Sequence, residues 1–225
     1  MTRTFRVICS VTALLVGGCS DLASPTRSDA YDWRLIVAFD SLGPQLDTLS
    51  FHWPRSRLPV RIWVEDAGGL PDEVGQGIDE WKGALLYGEW DAKITSDSNN
   101  ADVIVRLAPA PPPGPKPSAG RLGSLLLPQC DGATDLDTVA TRFELRIPLH
   151  VYVNPLVPSN DPDLARCLRV TTAHELGHSL GIFQHSTDAN DLMFSLPAVD
   201  ALSKRDINTV QTLYHFPPDM VPVGP

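Results

Sequence analysis

The sequence HELGHSLG, from His174 to Gly181, is the most informative stretch of this chain. Its two histidines are four positions apart. On a helix, this spacing turns the side-chain direction by about 40° and advances it by about 6 Å, so that the two imidazoles face the same point. His174 and His178 can therefore bind one zinc ion together, and Glu175 can reach a water beside that ion.

The residues before this stretch predict that it lies on a helix. Asp161-Pro162 is typical of an N-cap followed by a proline at the first helical position. We therefore expect a helix that begins at these residues and ends near Leu180. Its largely apolar face is predicted by residues that recur every four positions, namely Leu164, Leu168, Thr172, Leu176 and Leu180.

The residues after the helix supply the context that an HExxH pattern needs. Gly181 comes three residues after His178, where a helix end and a sharp turn are wanted. His185 follows and can supply a third ligand from the returning chain. Met193 lies beyond a polar loop.

These residues resemble the metzincin metalloproteases, and within them the matrixin-like branch. That family has the pattern HExxHxxGxxH followed by a methionine turn. The resemblance implies that His174 and His178 are zinc ligands, that Glu175 is the general base, that Gly181 forms the turn, and that Met193 lies under the metal. It also implies an α+β zincin catalytic domain with a twisted mixed sheet, an active-site helix and a C-terminal helix.

The chain departs from the family pattern at the third ligand. Gln184 stands where the family has histidine, and His185 comes one residue late. A third imidazole suits zinc beside two others better than an amide oxygen does. The extra residue follows Gly181, where a turn can accommodate it, and Met193 keeps the spacing expected from His185. We therefore expect His185 to complete the site; a two-histidine site with weak or absent metal remains the alternative.

The N-terminus reads as an export signal. Arg3 and Arg6 precede an uncharged, mostly apolar run from Val7 to Val16, which has the length of a signal-peptide core. The following Gly17-Gly18-Cys19 resembles the lipobox of bacterial lipoproteins, which implies cleavage before Cys19 and a lipid on its thiol. We expect a signal peptide over 1–18 and a lipid-anchored tether over 19–30. An ordinary secretory signal is the alternative.

The anchor would place the protein at a membrane outside the cytoplasm. Ser20 follows Cys19, and by resemblance to Gram-negative lipoproteins this favours the outer membrane, if the host has one. Cys130 and Cys167 remain after Cys9 is removed and Cys19 is lipidated. An even pair in an exported protein favours a disulfide between them.

The rest of the chain predicts a catalytic domain over 31–216 and a tail over 217–225. We expect strands at 35–39, 58–64, 101–107, 121–127 and 143–153, with an irregular start to the last because of Pro148. One helix is expected over 71–87. Another is expected from an N-cap at Ser203, with Asp206 in its first turn, to the prolines at 217 and 218. Six of the nine residues over 109–117 are proline, which predicts a loop.

Composition excludes several classes of protein. The chain has 225 residues, of which 43% are hydrophobic and 20% are charged, with a net charge of −9. This rules out wholesale disorder and a polytopic membrane protein. No basic tract indicates nucleic-acid binding. We expect a monomer.

Two polar clusters that can bind calcium are more typical of turns and surface; they are formed by Asp188, Asn190 and Asp191, and by Asp135 and Asp137. His52, His150 and His215, together with Trp53, Trp63, Trp81 and Trp90, are expected to be structural.

The resemblance implies a zinc-dependent endopeptidase with an activated water and Glu175 as its base. Its protein or peptide substrate is expected to lie along an edge strand, for which 120–127 is the candidate. Two alternatives remain. The chain can be a lipid-anchored binding or envelope protein that retains a zinc site without proteolysis, or a zinc hydrolase of a non-peptide amide.

Overall fold

A computed structural model of the chain describes residues 29–39, 45–112, 119–127, 130–139 and 142–224. The expected signal peptide, Cys19 and most of the expected tether lie outside these residues. The described strands and helices, in chain order, are β1 (Leu35–Phe39), β2 (Gln45–Leu49), β3 (Val60–Val64), α1 (Leu70–Ala84), β4 (Ala92–Thr95), β5 (Val103–Leu107), β6 (Ala119–Leu127), β7 (Cys130–Val139), β8 (Glu144–Pro155), α2 (Leu164–Leu180), α3 (Lys204–His215) and β9 (Val221–Val223).

Within the described residues, one mixed sheet of seven strands forms the centre of the fold, in the order β4-β3-β5-β8-β7-β6, with β9 paired to β8. Parallel pairing joins β4 to β3, β3 to β5 and β5 to β8. β7 is antiparallel to both β8 and β6. Valines are fully buried in the two central parallel strands, at Val103 and Val105 in β5 and at Val151 and Val153 in β8. Together with the three helices, this sheet confirms the expected α+β fold.

The strands expected from hydrophobic runs are present, and the structure adds others. The irregularity expected near Pro148 is confirmed, because the pairing of β7 with β8 shifts between Asp135 and Asp137. β7 itself was not expected, although it is ten residues long. Its sequence contains glycine and three aspartates, which are depleted in strands, and it is formed because it pairs on both sides.

The helices agree with expectation in type and differ at their ends. α1 ends at Ala84, three residues before the expected end, and Leu86 and Tyr87 are exposed. α2 begins at Leu164, later than expected. Asp163, and not Asp161, stands at its N-cap, and the Asp161 carboxylate accepts a hydrogen bond of 2.9 Å from the backbone N–H of Asp163 in the turn before the helix. α3 has the expected capping box between Ser203 and Asp206.

Within the expected tail, Val221–Val223 pairs with β8 as strand β9 of the sheet. The backbone N–H of Met220 also donates to the Ser50 carbonyl at 3.0 Å. None of the helices in the described part of the chain combines the length and apolar character that crossing a bilayer requires.

Candidate active site

The second half of α2 carries the HExxH residues in the interior of the fold. Every residue from Val170 to Leu180 is buried, because β7 and β8 lie against the helix on one side and α1 on another. The single apolar face expected from the sequence is therefore too narrow a description. The ring centroids of His174 and His178 are 4.8 Å apart, and both side chains are 0% exposed.

Carbonyl groups hold the two helical imidazoles in one orientation. The Nδ1 atom of His174 is 2.7 Å from the Leu192 carbonyl oxygen, and that of His178 is 2.6 Å from the Ile182 carbonyl oxygen. A carbonyl only accepts, so each Nδ1 carries the proton and each Nε2 presents a lone pair. Burial lowers the pKa of His174 to about 3 and that of His178 well below its ordinary value. Both rings are therefore neutral, as metal ligands must be.

Gly181 ends α2 and turns the chain back towards the site. Its φ is 116°, a left-handed conformation that favours glycine, and its N–H donates to the His178 carbonyl at 3.1 Å. A Cβ atom at this position would overlap the backbone carbonyl of Phe51. Gly181 thus permits both the turn and a close approach of the N-terminal part of the domain.

The returning chain brings His185, and not Gln184, to the two helical histidines. The His185 ring centroid lies 5.2 Å from that of His174 and 5.1 Å from that of His178. The Gln184 amide nitrogen instead donates to the Arg34 carbonyl at 3.1 Å. The extra residue lies in the loop after α2, so it leaves the two helical ligands in place.

A metal ion fits this cluster. One ligand atom from each histidine can be chosen so that all three lie within 4.8 Å of one another. The Nε2 atoms of His174, His178 and His185 are buried, and none has a hydrogen-bond partner in the described part of the chain. Three buried ring nitrogens without partners at one point are costly unless they bind something that takes their lone pairs. Three neutral imidazoles form the donor set of an open zinc site.

Glu175 lies beside the cluster with one oxygen held and one oxygen without a partner. The Thr134 hydroxyl of β7 donates to its Oε2 at 2.7 Å, whereas its Oε1 is buried and has no hydrogen bond to any described residue. Burial raises the pKa of Glu175 to about 8; the hydrogen bond from Thr134 acts in the opposite direction, and the charge of Asp131 adds to the increase. Oε1 is therefore the atom that can exchange a proton in the metal-free site.

β7 fits tightly against this carboxylate. A Cβ atom at Gly132 would lie 2.6 Å from Glu175 Oε1 and 2.6 Å from the Thr171 methyl group. Sequence reasoning did not find Gly132 or Thr134. No local signal marks them, since they reach Glu175 only through the pairing of a strand that was itself not expected.

Met193 packs against α2 at Gly177, the residue before His178. It is 0% exposed, and a Cβ atom at Gly177 would overlap its sulfur. Asp206 of α3 holds the Met193 turn through the Leu192 N–H at 2.7 Å and the Met193 N–H at 3.3 Å. The sequence indicated Asp206 only as a capping residue, and its contact with this turn was missed.

Cys130 and Cys167 form the expected disulfide, with Cα atoms 5.5 Å apart. The bridge joins the first residue of β7 to α2, and the two sulfur-bearing residues are 0% and 1% exposed. It therefore fastens the strand that carries Thr134 to the helix that carries Glu175.

The other polar clusters are used within the fold. The carboxylate of Asp188 accepts hydrogen bonds from the backbone and side chain of Asn190, and Arg205 forms ion pairs with both Asp188 and Asp191. Asp137 is ion-paired with Arg146 at 3.3 Å. Three of the four tryptophans named above are in the core, but Trp63 is only half-buried, and the guanidinium of Arg106 lies 5.3 Å from its ring centroid.

Two comparisons with known proteins found matches to this chain. The family model described as Matrixin, a peptidase family, matches residues 96–215 of the 225 residues, which is more than half of the chain. Stromelysin-1 from Equus caballus is 46% identical over 55 residues, which are 22% of this chain. The match spans 11% of the length of that relative.

Proposed function

The chain belongs to the matrixin family of metalloproteases, and on that premise we propose that it is a zinc-dependent endopeptidase with Glu175 as general base. The observation that carries the proposal is the convergence of three unpaired Nε2 atoms, from His174, His178 and His185, beside a carboxylate with one unpaired oxygen. A purely structural zinc site usually closes with a fourth protein ligand and does not require a base.

Each residue has a defined part in this proposal. The three histidines would hold the ion through neutral rings. A bound zinc ion supplies Lewis-acid activation of water and of the peptide carbonyl. Glu175 Oε1 accepts a proton from the attacking water and returns it to the leaving amine, while Thr134 fixes the other carboxylate oxygen.

The peptide substrate would lie extended along the free edge of β6. This strand is the outermost strand at its end of the described sheet, and it pairs with β7, the strand that contacts Glu175. An edge strand presents unpaired backbone groups that an extended peptide can use, as the sequence-based choice of 120–127 requires.

The proposal is tested with Glu175→Ala. We expect the variant to bind zinc as the unaltered protein does and to lose at least about a hundredfold in cleavage of casein or gelatin, because general-base catalysis contributes about 10²–10⁴-fold. Glu144→Ala, a carboxylate change outside the site, is the matched control and should retain activity. A chelator should abolish cleavage by the unaltered protein.

The outcomes separate the alternatives. Near-normal turnover by Glu175→Ala would remove Glu175 from the mechanism. Zinc binding without cleavage of any protein substrate would favour a non-proteolytic role or a hydrolase of another amide. Binding of no zinc would reject the proposal altogether.

We also propose that the mature protein is anchored to a membrane through a lipid on Cys19, on the side away from the cytoplasm. The sequence over 1–19 is the support for this step. Cys19→Ser should abolish labelling by a fatty-acid analogue and block processing or release the protein. Unchanged labelling of the variant would contradict the anchor.

A further inference from the structure

His185 differs from the other two histidines in how its ring is held. His174 and His178 each donate from Nδ1 to a carbonyl. Within the part of the chain that the structure describes, the Nδ1 atom of His185 makes no such bond. The position of the His185 ring therefore depends on the backbone of its own loop, which begins after Gly181. Whatever supports that loop also supports the third ligand.

The loop is supported from two directions. After His185, the Ser186 N–H donates to the Met193 carbonyl at 2.8 Å. Before His185, the Phe183 N–H donates to the Trp33 carbonyl at 2.7 Å, and the Gln184 side chain donates to the Arg34 carbonyl at 3.1 Å. The second support comes from the segment Tyr31–Arg34, far from the site in sequence.

The same segment also reaches the other side of the site. The Tyr31 hydroxyl donates to Asp206 Oδ1 at 2.7 Å, and the Tyr31 N–H donates to Thr209 at 3.1 Å. Asp206 in turn holds the N–H of Leu192, whose carbonyl accepts from the His174 ring. The segment Tyr31–Arg34 therefore contacts Phe183 and Gln184, which precede His185. It also contacts Asp206, which holds the turn whose Leu192 carbonyl orients His174.

We infer that Gln184 is a positioning residue for His185, and that its hydrogen bond to the Arg34 carbonyl sets the rate at which the metal dissociates. The inference rests on the proposed zinc site. Gln184 occupies the position of the family's third ligand, so the one-residue shift in this chain does more than move the histidine. Through its side-chain hydrogen bond to the Arg34 carbonyl, Gln184 links the loop that carries His185 to the segment Tyr31–Arg34. Supporting groups of this kind commonly change metal affinity by about 10–100-fold.

The test compares three variants of the full chain. Gln184→Met keeps a similar length and removes the donor. Thr187→Ala changes an exposed residue of the same loop and is the matched control. His185→Ala removes the proposed ligand. The measurements are zinc content at saturating zinc, the rate of zinc transfer to a chromogenic chelator, and the visible absorption spectrum of the cobalt-substituted protein.

Gln184→Met should bind one zinc ion at saturation and release it about fivefold to tenfold faster, as expected for the loss of one hydrogen bond to a carbonyl. Its cobalt spectrum should shift, because the third imidazole is less well aligned. Thr187→Ala should match the unaltered protein in both measurements, and His185→Ala should lose most of its zinc.

Two results would overturn the inference in distinguishable ways. If Gln184→Met has the unaltered release rate and cobalt spectrum while His185→Ala loses zinc, the metal site stands and the positioning role is wrong. If His185→Ala keeps its zinc with unchanged affinity, the proposed ligand set fails, and the positioning role fails with it.

Discussion

At the level of single residues, the two oxygens of the Glu175 carboxylate differ in their contacts: one is held by a hydrogen bond, and the other is available for proton transfer. Oε2 is occupied by the Thr134 hydroxyl, and Oε1 is left without a partner in the described structure. A carboxylate that can rotate freely would present either oxygen in many directions. The bond from Thr134 restricts it to one orientation, which is a requirement for efficient proton transfer over a fixed distance.

We expect Thr134→Val to lower kcat by about tenfold, since it removes one hydrogen bond, worth about 0.5–1.5 kcal/mol or more to a charged group. Valine has nearly the shape of threonine, so the packing of β7 against α2 should be kept. Thr134→Ser retains the hydroxyl and is the matched control, which should recover most of the lost activity. Steady-state kinetics on a peptide substrate would decide; equal kcat values for the valine and serine variants would show that the hydroxyl does not position Glu175.

Residues of the site differ in how far they can be predicted from the sequence. His174, Glu175 and His178 lie on one helix, and their mutual geometry follows from helix dimensions alone. His185 required an additional chemical choice between imidazole and amide. Thr134, Gly132 and Asp206 reach the site across β7 and α3, and their proximity depends on strand register and helix docking, which leave no pattern in the local sequence.

At the scale of secondary structure, the helices were predictable because they carry their own signals. The capping box of α3 was read correctly from Ser203 and Asp206. The strand β7 was not predicted, since it contains glycine and three aspartates, which are depleted in strands. Its stability comes from pairing with β6 and β8 and from the disulfide at its first residue, all of which are tertiary interactions.

α3 also shows that one element can have a structural and a positioning role at the same time. Asp206 accepts from the Ser203 N–H at 2.8 Å as part of the cap, and the same carboxylate holds the N–H groups of the turn at Leu192 and Met193. The start of α3 is therefore fixed relative to the turn at Leu192 and Met193. This explains why a helix that carries no proposed ligand determines where His174 points, since the Leu192 carbonyl orients that ring.

At the scale of the whole molecule, the proposed metal centre is the meeting point of parts that are far apart in sequence. The N-terminal segment supports the ligand loop through Trp33 and Arg34. β7 supplies Thr134, and α3 supplies Asp206. Hydrogen bonds connect most of these parts, whereas the bond between Cys130 and Cys167 connects β7 to α2 covalently. The contribution of this bridge can be measured separately from the others.

We expect the double variant Cys130→Ala/Cys167→Ala to unfold at a lower denaturant concentration, with a free energy of unfolding reduced by up to about 4 kcal/mol. The bridge spans a sequence separation of 37, and the chain-entropy model assigns that loss to the greater freedom of the unfolded chain. Alanine is preferred to serine here because both positions are buried, and a serine hydroxyl there would need a hydrogen-bond partner.

The same variant should also lose activity, because β7 would be held near Glu175 by hydrogen bonds and packing alone. Urea titrations followed by fluorescence give the free energy of unfolding, and zinc-saturated turnover gives the activity. The unaltered protein treated with a reductant in the absence of denaturant is the control, and it should keep its stability because both cysteines are shielded from solvent. A double variant as stable and as active as the unaltered protein would mean that pairing and packing alone hold β7 in register beside the helix.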